Sequence, residues 1–259
     1  MTTATQLQAP PAGQRLDGMH TAVLGPTGGL GRAIAVELAR AGGEVHLIGR
    51  RPDELNRLAA DLRSLGSQAT VQVIDLDDLG QLQAAVAGLP ALDVFVNAVG
   101  INIPRPVLEV TVEQVDTMLA VNVRAAFFAL QAAARRLVDD GRPGSLITIS
   151  SQLGHVGCAG RSVYAATKHA VEGLTKSLAV ELAPHRVRVN TVAPTFVRTP
   201  MTAAAFEDDD FTASITARIP LGRLGTPEEV AAAVLFLAAP TSSLVTGTSI
   251  IVDGGWTAQ

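Results

Sequence analysis

The sequence predicts an α/β fold: a doubly wound, seven-stranded parallel sheet with helices on both faces. Two observations carry this. Short β-type runs alternate along the chain with stretches of helical periodicity, and those runs are apolar on both faces instead of alternating apolar and polar. Strands buried on both sides and separated by helices call for a parallel sheet with right-handed crossovers. A length of 259 residues with 47% apolar content suits one such domain with a large core.

Taken in order, residues 1–17, with Gln, Pro, Ala and Gly and no apolar period, predict a disordered tail, so the domain is expected over 18–259. Strands are expected at 20–24, 44–49, 69–74, 93–97, 145–150, 188–193 and 249–252. Two helix starts are explicit: Thr111 with Gln114, and Thr226 with Glu229, are capping boxes, and Pro227 suits a first turn. No repeat or linker divides the chain.

Composition excludes several roles. A net charge of −4 with scattered arginines offers no field for nucleic acid or an anionic membrane. The longest apolar run, 231–239, is too short to span a bilayer, and the first residues lack the pattern of a signal peptide, so a cytoplasmic protein is expected. The single cysteine, Cys158, excludes an internal disulfide and a multi-cysteine metal site, and reads as a small packed side chain.

The chemistry-bearing features stand at two ends. Tyr164, the only tyrosine, precedes Lys168, one of two lysines, by four residues. On a helix that spacing stacks phenol and ammonium on one face, where the cation is expected to draw the phenol's pKa downward. The run from Gly25 through Thr27, Gly28, Gly29 and Leu30 to Gly31 lies between a predicted strand and a predicted helix. Its bare backbone lets a pyrophosphate approach the amides and dipole of a helix N-terminus. Where an NAD-binding chain usually carries an acid, at the end of the second strand, this one has Gly49 followed by Arg50 and Arg51. Guanidinium groups suit a 2′-phosphate, so NADP(H) is favoured over NAD(H). Asp75 and Leu76 after the third strand, and the turn from Asn97 to Gly100 after the fourth, fall where adenine and its ribose would lie. Asp75 reads equally well as turn chemistry.

Together with Asn122, Ser151, the segment Arg188 to Pro194 and the terminal Val252-Asp253-Gly254-Gly255, these residues resemble the single-domain branch of the short-chain dehydrogenase/reductase family, and the likeness spans residues 20–256. Members that reduce 3-oxoacyl thioesters or oxidise sugars and polyols look nearest. The resemblance implies a Rossmann-type domain and interconversion of a ketone and a secondary alcohol without a metal. It implies Tyr164 as general acid or base, and Lys168 as the group that tunes it and holds the nicotinamide ribose. Ser151 would bind the substrate oxygen, Asn122 a water linked to Lys168, and Pro194, Val197 and Thr199 the nicotinamide. It also implies a homotetramer. The chain departs from the family pattern at Leu24, Ala98 and Thr195, in place of threonine, asparagine and glycine; the first two put the usual bracing of the loop on packing instead.

Substrate contacts are expected from Gln152, Leu153, His155, Arg161, Phe196 and residues 201–218, a segment read as a mobile lid over about 200–220. Arg161 and His155 could hold an anion beside the reacting carbonyl, so a small polar or acidic substrate is expected. The alternative is a nucleotide sensor or scaffold that keeps the fold without turnover; the intact Ser151, Tyr164, Lys168 and Asn122 set argues against it.

Overall fold

The computed structural model describes residues 12–199, 202–203 and 206–259. Seven strands, β1 (His20–Leu24), β2 (Glu44–Gly49), β3 (Ala69–Val73), β4 (Val94–Asn97), β5 (Gly144–Ile149), β6 (Val187–Pro194) and β7 (Ser249–Val252), form one parallel sheet in the order β3-β2-β1-β4-β5-β6-β7. This is the expected doubly wound topology. The pleat of β1 shows why its residues are apolar throughout: Val23 enters the core on one face of the sheet, while Ala22 and Leu24 enter the core on the other.

Helices α1 (Gly29–Arg40), α2 (Pro52–Ser64) and α8 (Pro227–Ala238) cover the first face, through residues such as Ile34, Leu38, Leu58, Val234 and Leu235. On the second face α3 (Leu79–Ala87), α5 (Ala126–Asp139) and α6 (Ser162–Leu182) contribute Leu82, Leu130, Leu137 and Ala179. Each fully buried leucine, isoleucine or valine among them stabilises the fold by about 1.5–3 kcal/mol. Both capping boxes form, at Thr111 before α4 (Val112–Leu119) and at Thr226 before α8. A short helix, α7 (Asp209–Thr216), begins where Asp208 accepts from the Phe211 N–H at 3.0 Å.

Two expectations need correction. Residues 12–17 are not a disordered tail: Leu16 is fully buried in the first core, and its N–H donates to the Ala41 carbonyl at 2.8 Å. One large apolar residue is enough to dock a segment whose composition otherwise favours disorder. Residues 1–11 lie outside the described residues. The longest apolar run also understated the helices, because α4, a π-helical turn (Ala120–Ala125) and α5 form one 28-residue helix, Val112–Asp139, apolar enough in length and composition to cross a membrane. Its apolar character has a local cause: Ala129, Leu130, Ala133 and Leu137 pack beneath the sheet.

Candidate active site

Strands β1 and β4 are neighbours, with β2 and β3 to one side and β5 to β7 to the other. The winding therefore reverses between them, and a crevice opens at their carboxyl ends. A cleft of about 300 Å³ occupies this position.

On one wall lies the glycine loop. Gly25 has φ +80°, a left-handed conformation that favours glycine, and a β-carbon there would stand 2.7 Å from Val99 Cγ2. A β-carbon on Gly31 would stand 2.2 Å from the Gly25 carbonyl oxygen, so the loop folds back on itself only without side chains. Gly28, Gly29, Leu30 and Gly31 line the cleft, and α1 starts at Gly29 with its N-terminal amides at this end. Gly25 and Thr27 support them without lining it. Val99 lies against Gly25, while Leu24 and Ala98, whose side chains cannot hydrogen-bond, are joined through their backbones by Ala98 N–H donating to the Leu24 carbonyl at 2.9 Å. The loop thus offers the close backbone approach and amide-rich helix end that a dinucleotide pyrophosphate requires.

Arg51 reaches over the loop: its Nη2 and Nε donate to Thr27 Oγ1 at 2.6 and 3.2 Å, and Nη1 pairs with Glu54 at 3.1 Å. Arg50 beside it is exposed. Asp75 makes turn chemistry, its carboxylate accepting from the Asp77 N–H at 3.1 Å, and neither it nor Leu76 lines the cleft. Asn97 is buried and accepts from the Val99 N–H at 3.1 Å, which shapes the turn that puts Gly100 on the cleft wall.

The candidate reacting end is assembled from three elements. Ser151 follows β5, and its Oγ accepts from the Leu153 N–H at 3.2 Å. Tyr164 and Lys168 stand one turn apart on α6, with Lys168 Nζ 5.6 Å from the phenol ring centre and donating to the Ile149 carbonyl at 2.9 Å. Asn122 sits in the π-helical turn, where its amide accepts from Ile101 N–H at 2.8 Å and donates to the Ile101 carbonyl at 2.8 Å and to Thr167 Oγ1 at 3.1 Å. The two approach each other at Gly100, where a β-carbon would lie 3.3 Å from Lys168 Nζ and 3.5 Å from Asn122 Oδ1.

The electrostatics differ from expectation. Burial dominates at Tyr164 and raises its pKa; the nearby Ser151 hydroxyl and the charge of Arg161 act downward, whereas Lys168 is not among the groups that lower it. Lys168 is itself desolvated, which lowers its pKa to about 8 against the opposing pull of Glu172. A cation disfavoured by its own burial is a weak lever on its neighbour.

Pro194, Val197, Thr199 and Phe196 line the cleft, as do Gln152, Leu153 and Arg161. His155 does not. It follows the helical turn Gln152–Gly154, and its Nε2 lies 3.0 Å from Ser249 Oγ and 3.4 Å from the buried Glu172 carboxylate. Of the segment expected to act as a lid, Thr202, Phe206 and Phe211 reach the cleft, and the Phe206 side chain packs with Ile215, Ile219, Leu224 and Trp256. Met201 lies outside the described residues. Sequence reasoning passed over Ile101 and Asn102, which line the cleft directly after the Asn97 turn, and Glu172, one helical turn beyond Lys168. Reading each motif one turn further would have found all three.

A family model described as enoyl-(acyl carrier protein) reductase matches residues 25–257. L-xylulose reductase of Bos taurus is 40% identical over 244 residues, 94% of this chain and 98% of that protein. D-erythrulose reductase of Gallus gallus is 37% identical over 242 residues, 92% and 96%. The solved structure of a gluconate 5-dehydrogenase from Burkholderia cenocepacia in complex with NADP and tartrate superimposes with a TM-score of 0.91 at 31% identity, covering 95% of this chain and 98% of the other. The chain belongs to the short-chain dehydrogenase/reductase family and is an NAD(P)-dependent oxidoreductase that interconverts ketones and alcohols.

Proposed function

We propose that this protein is an NADP(H)-dependent ketone reductase acting on a small, polar, sugar-like substrate, with Tyr164 as its proton donor. The observation that carries the reading is the convergence of Ser151, Tyr164 and Lys168 on the same cleft as the glycine loop. NADPH, when bound, supplies the hydride. Gly28 to Gly31 would hold its pyrophosphate, Arg51 and Arg50 its 2′-phosphate, and Lys168 its ribose, with Pro194, Val197 and Thr199 at the nicotinamide. The NADP named in the solved relative supports the choice of cofactor.

As negative charge grows on the substrate oxygen, the Ser151 hydroxyl stabilises it and Tyr164 delivers a proton. A phenol whose pKa is raised by burial keeps that proton at neutral pH, which favours reduction over oxidation there. Lys168 loses its charge near pH 8 and limits the alkaline side. Asn122 fixes the Ile101 backbone beside Lys168, a place suited to the water of the family's proton path.

Exposed apolar side chains on Val112, Leu119 and Phe127 along one helix, and on Leu108, Val180 and Leu244 elsewhere, suit burial between subunits, which supports a homotetramer. We place the protein in the cytoplasm. The test is Tyr164→Phe with NADPH and a panel of ketoses: turnover should fall at least about a thousandfold while NADPH binds as before. Turnover that survives would overturn the assignment, and a wild type that binds NADPH without turnover would revive the sensor.

A further inference from the structure

We infer that the substrate is a hydroxylated keto acid whose carboxylate is held by Arg161, with Gln152 alongside. The inference rests on the reductase reading and names the class of ketone it takes.

Gln152 is only 1% exposed and lines the cleft, yet neither its Oε1 nor its Nε2 has a hydrogen-bond partner. A buried primary amide with every hydrogen-bonding position open is rare, because it forfeits water without recompense. Arg161 lines the same cleft, and its Nη1 is likewise shut from solvent and unpartnered. The residue is half-buried, and its charge lowers the pKa of the Tyr164 phenol three residues on. Among the described residues that line the cleft there is no aspartate or glutamate to neutralise it. A cation and an amide left open in one cleft define a complementary ligand: an anion able to take the guanidinium's fork, with a neighbouring hydroxyl for the amide oxygen.

The apolar part of the lining sets the rest. Phe196, Phe206 and Phe211 line the cleft with apolar surface, and Phe206 and Phe211 stack at 5.9 Å between ring centres. That surface suits the C–H face of a short carbon chain, with the polar groups turned to Gln152 and Arg161. Arg161 and Tyr164 line one cleft of about 300 Å³, so a small substrate that meets both carries its carboxylate within a few bonds of the reducible carbonyl.

The experiment uses tartrate and its neutral counterpart threitol as probes, titrated calorimetrically into the full-length protein saturated with NADP⁺. Wild type should bind tartrate at least about tenfold more tightly than threitol, and Arg161→Leu should lose about ten- to a hundredfold in tartrate affinity while threitol is unchanged. Arg161→Lys, which keeps the charge without the fork, should fall between them. Gln152→Leu should weaken tartrate about three- to tenfold and serves if Arg161→Leu does not fold. Equal binding of the two probes by wild type, or a tartrate preference that survives in Arg161→Leu, overturns the inference. The same proteins are then assayed with NADPH on 5-ketogluconate and fructose. Tartrate discrimination without turnover of any ketone sinks the reductase reading and leaves the carboxylate site standing. Turnover of fructose with no tartrate discrimination does the reverse.

Discussion

Lys168 Nζ is anchored at 2.9 Å to the carbonyl oxygen of Ile149, the last residue of the strand that delivers Ser151. The helix carrying the phenol and the strand carrying the hydroxyl are thereby tied at the site itself. Among the described residues no carboxylate forms an ion pair with this ammonium, and burial lowers its pKa to about 8 from 10.5. The unfolded chain then holds the proton up to about 10.5 and the folded one only to about 8. Between those values the unfolded state binds more protons, so stability rises with pH, and below 8 the penalty is fully present, on the order of 3 kcal/mol. Tyr164, whose pKa burial raises, acts oppositely above pH 10. Lys168→Met should therefore melt about 5–10 °C higher than wild type at pH 7 without cofactor, with the gap closing toward pH 10, as scanning calorimetry would record. Turnover should be lost.

The glycine loop separates fold from binding. Gly31→Ala drives a methyl group to 2.2 Å from a backbone oxygen, while the nearest atom to a β-carbon on Gly28 is 4.0 Å away. Gly31→Ala should both lower the melting temperature and abolish NADPH binding. Gly28→Ala should melt within a degree or two of wild type and weaken NADPH alone, because its methyl group enters the cleft. Fluorescence titration beside thermal melts distinguishes the two.

Arg51 provides the cofactor test. Its replacement by alanine should weaken NADPH about ten- to a hundredfold and leave NADH within about threefold, since only the former has a phosphate for the guanidinium. Equal losses would show that Arg51 acts by bracing Thr27.

Leu16 is the apolar anchor of the N-terminal segment. Leu16→Ala should cost about 2–5 kcal/mol in urea unfolding. The Michaelis constant should not change, since Leu16 packs in the core by Ala41 and does not line the cleft.

Much of this was readable in the residues. Parallel strands are apolar throughout because both pleat faces are covered, so Val23 and Leu24 announce the sheet's surroundings without any partner being known. Tyr164, Lys168 and the glycines keep fixed spacings within one element, and spacing survives in a sequence. What escaped were properties of surroundings. The raised pKa of Tyr164 comes from crowding by distant segments, and the turning of His155 toward Glu172 depends on how one short turn sits against α6. Leu16 was hidden among tail-like neighbours because burial is decided by the surface it meets, not by local composition.

The π-helical turn at Ala120–Ala125 holds one residue more than regular α-helical winding needs. Excising a single residue there would tighten the turn to ordinary pitch and leave the faces of α4 and α5 aimed as they are, so the scaffold would survive the deletion. The clasp between Asn122 and Ile101 would not. The surplus residue is therefore dispensable to the architecture and spent entirely on the local placement of one amide against Ile101.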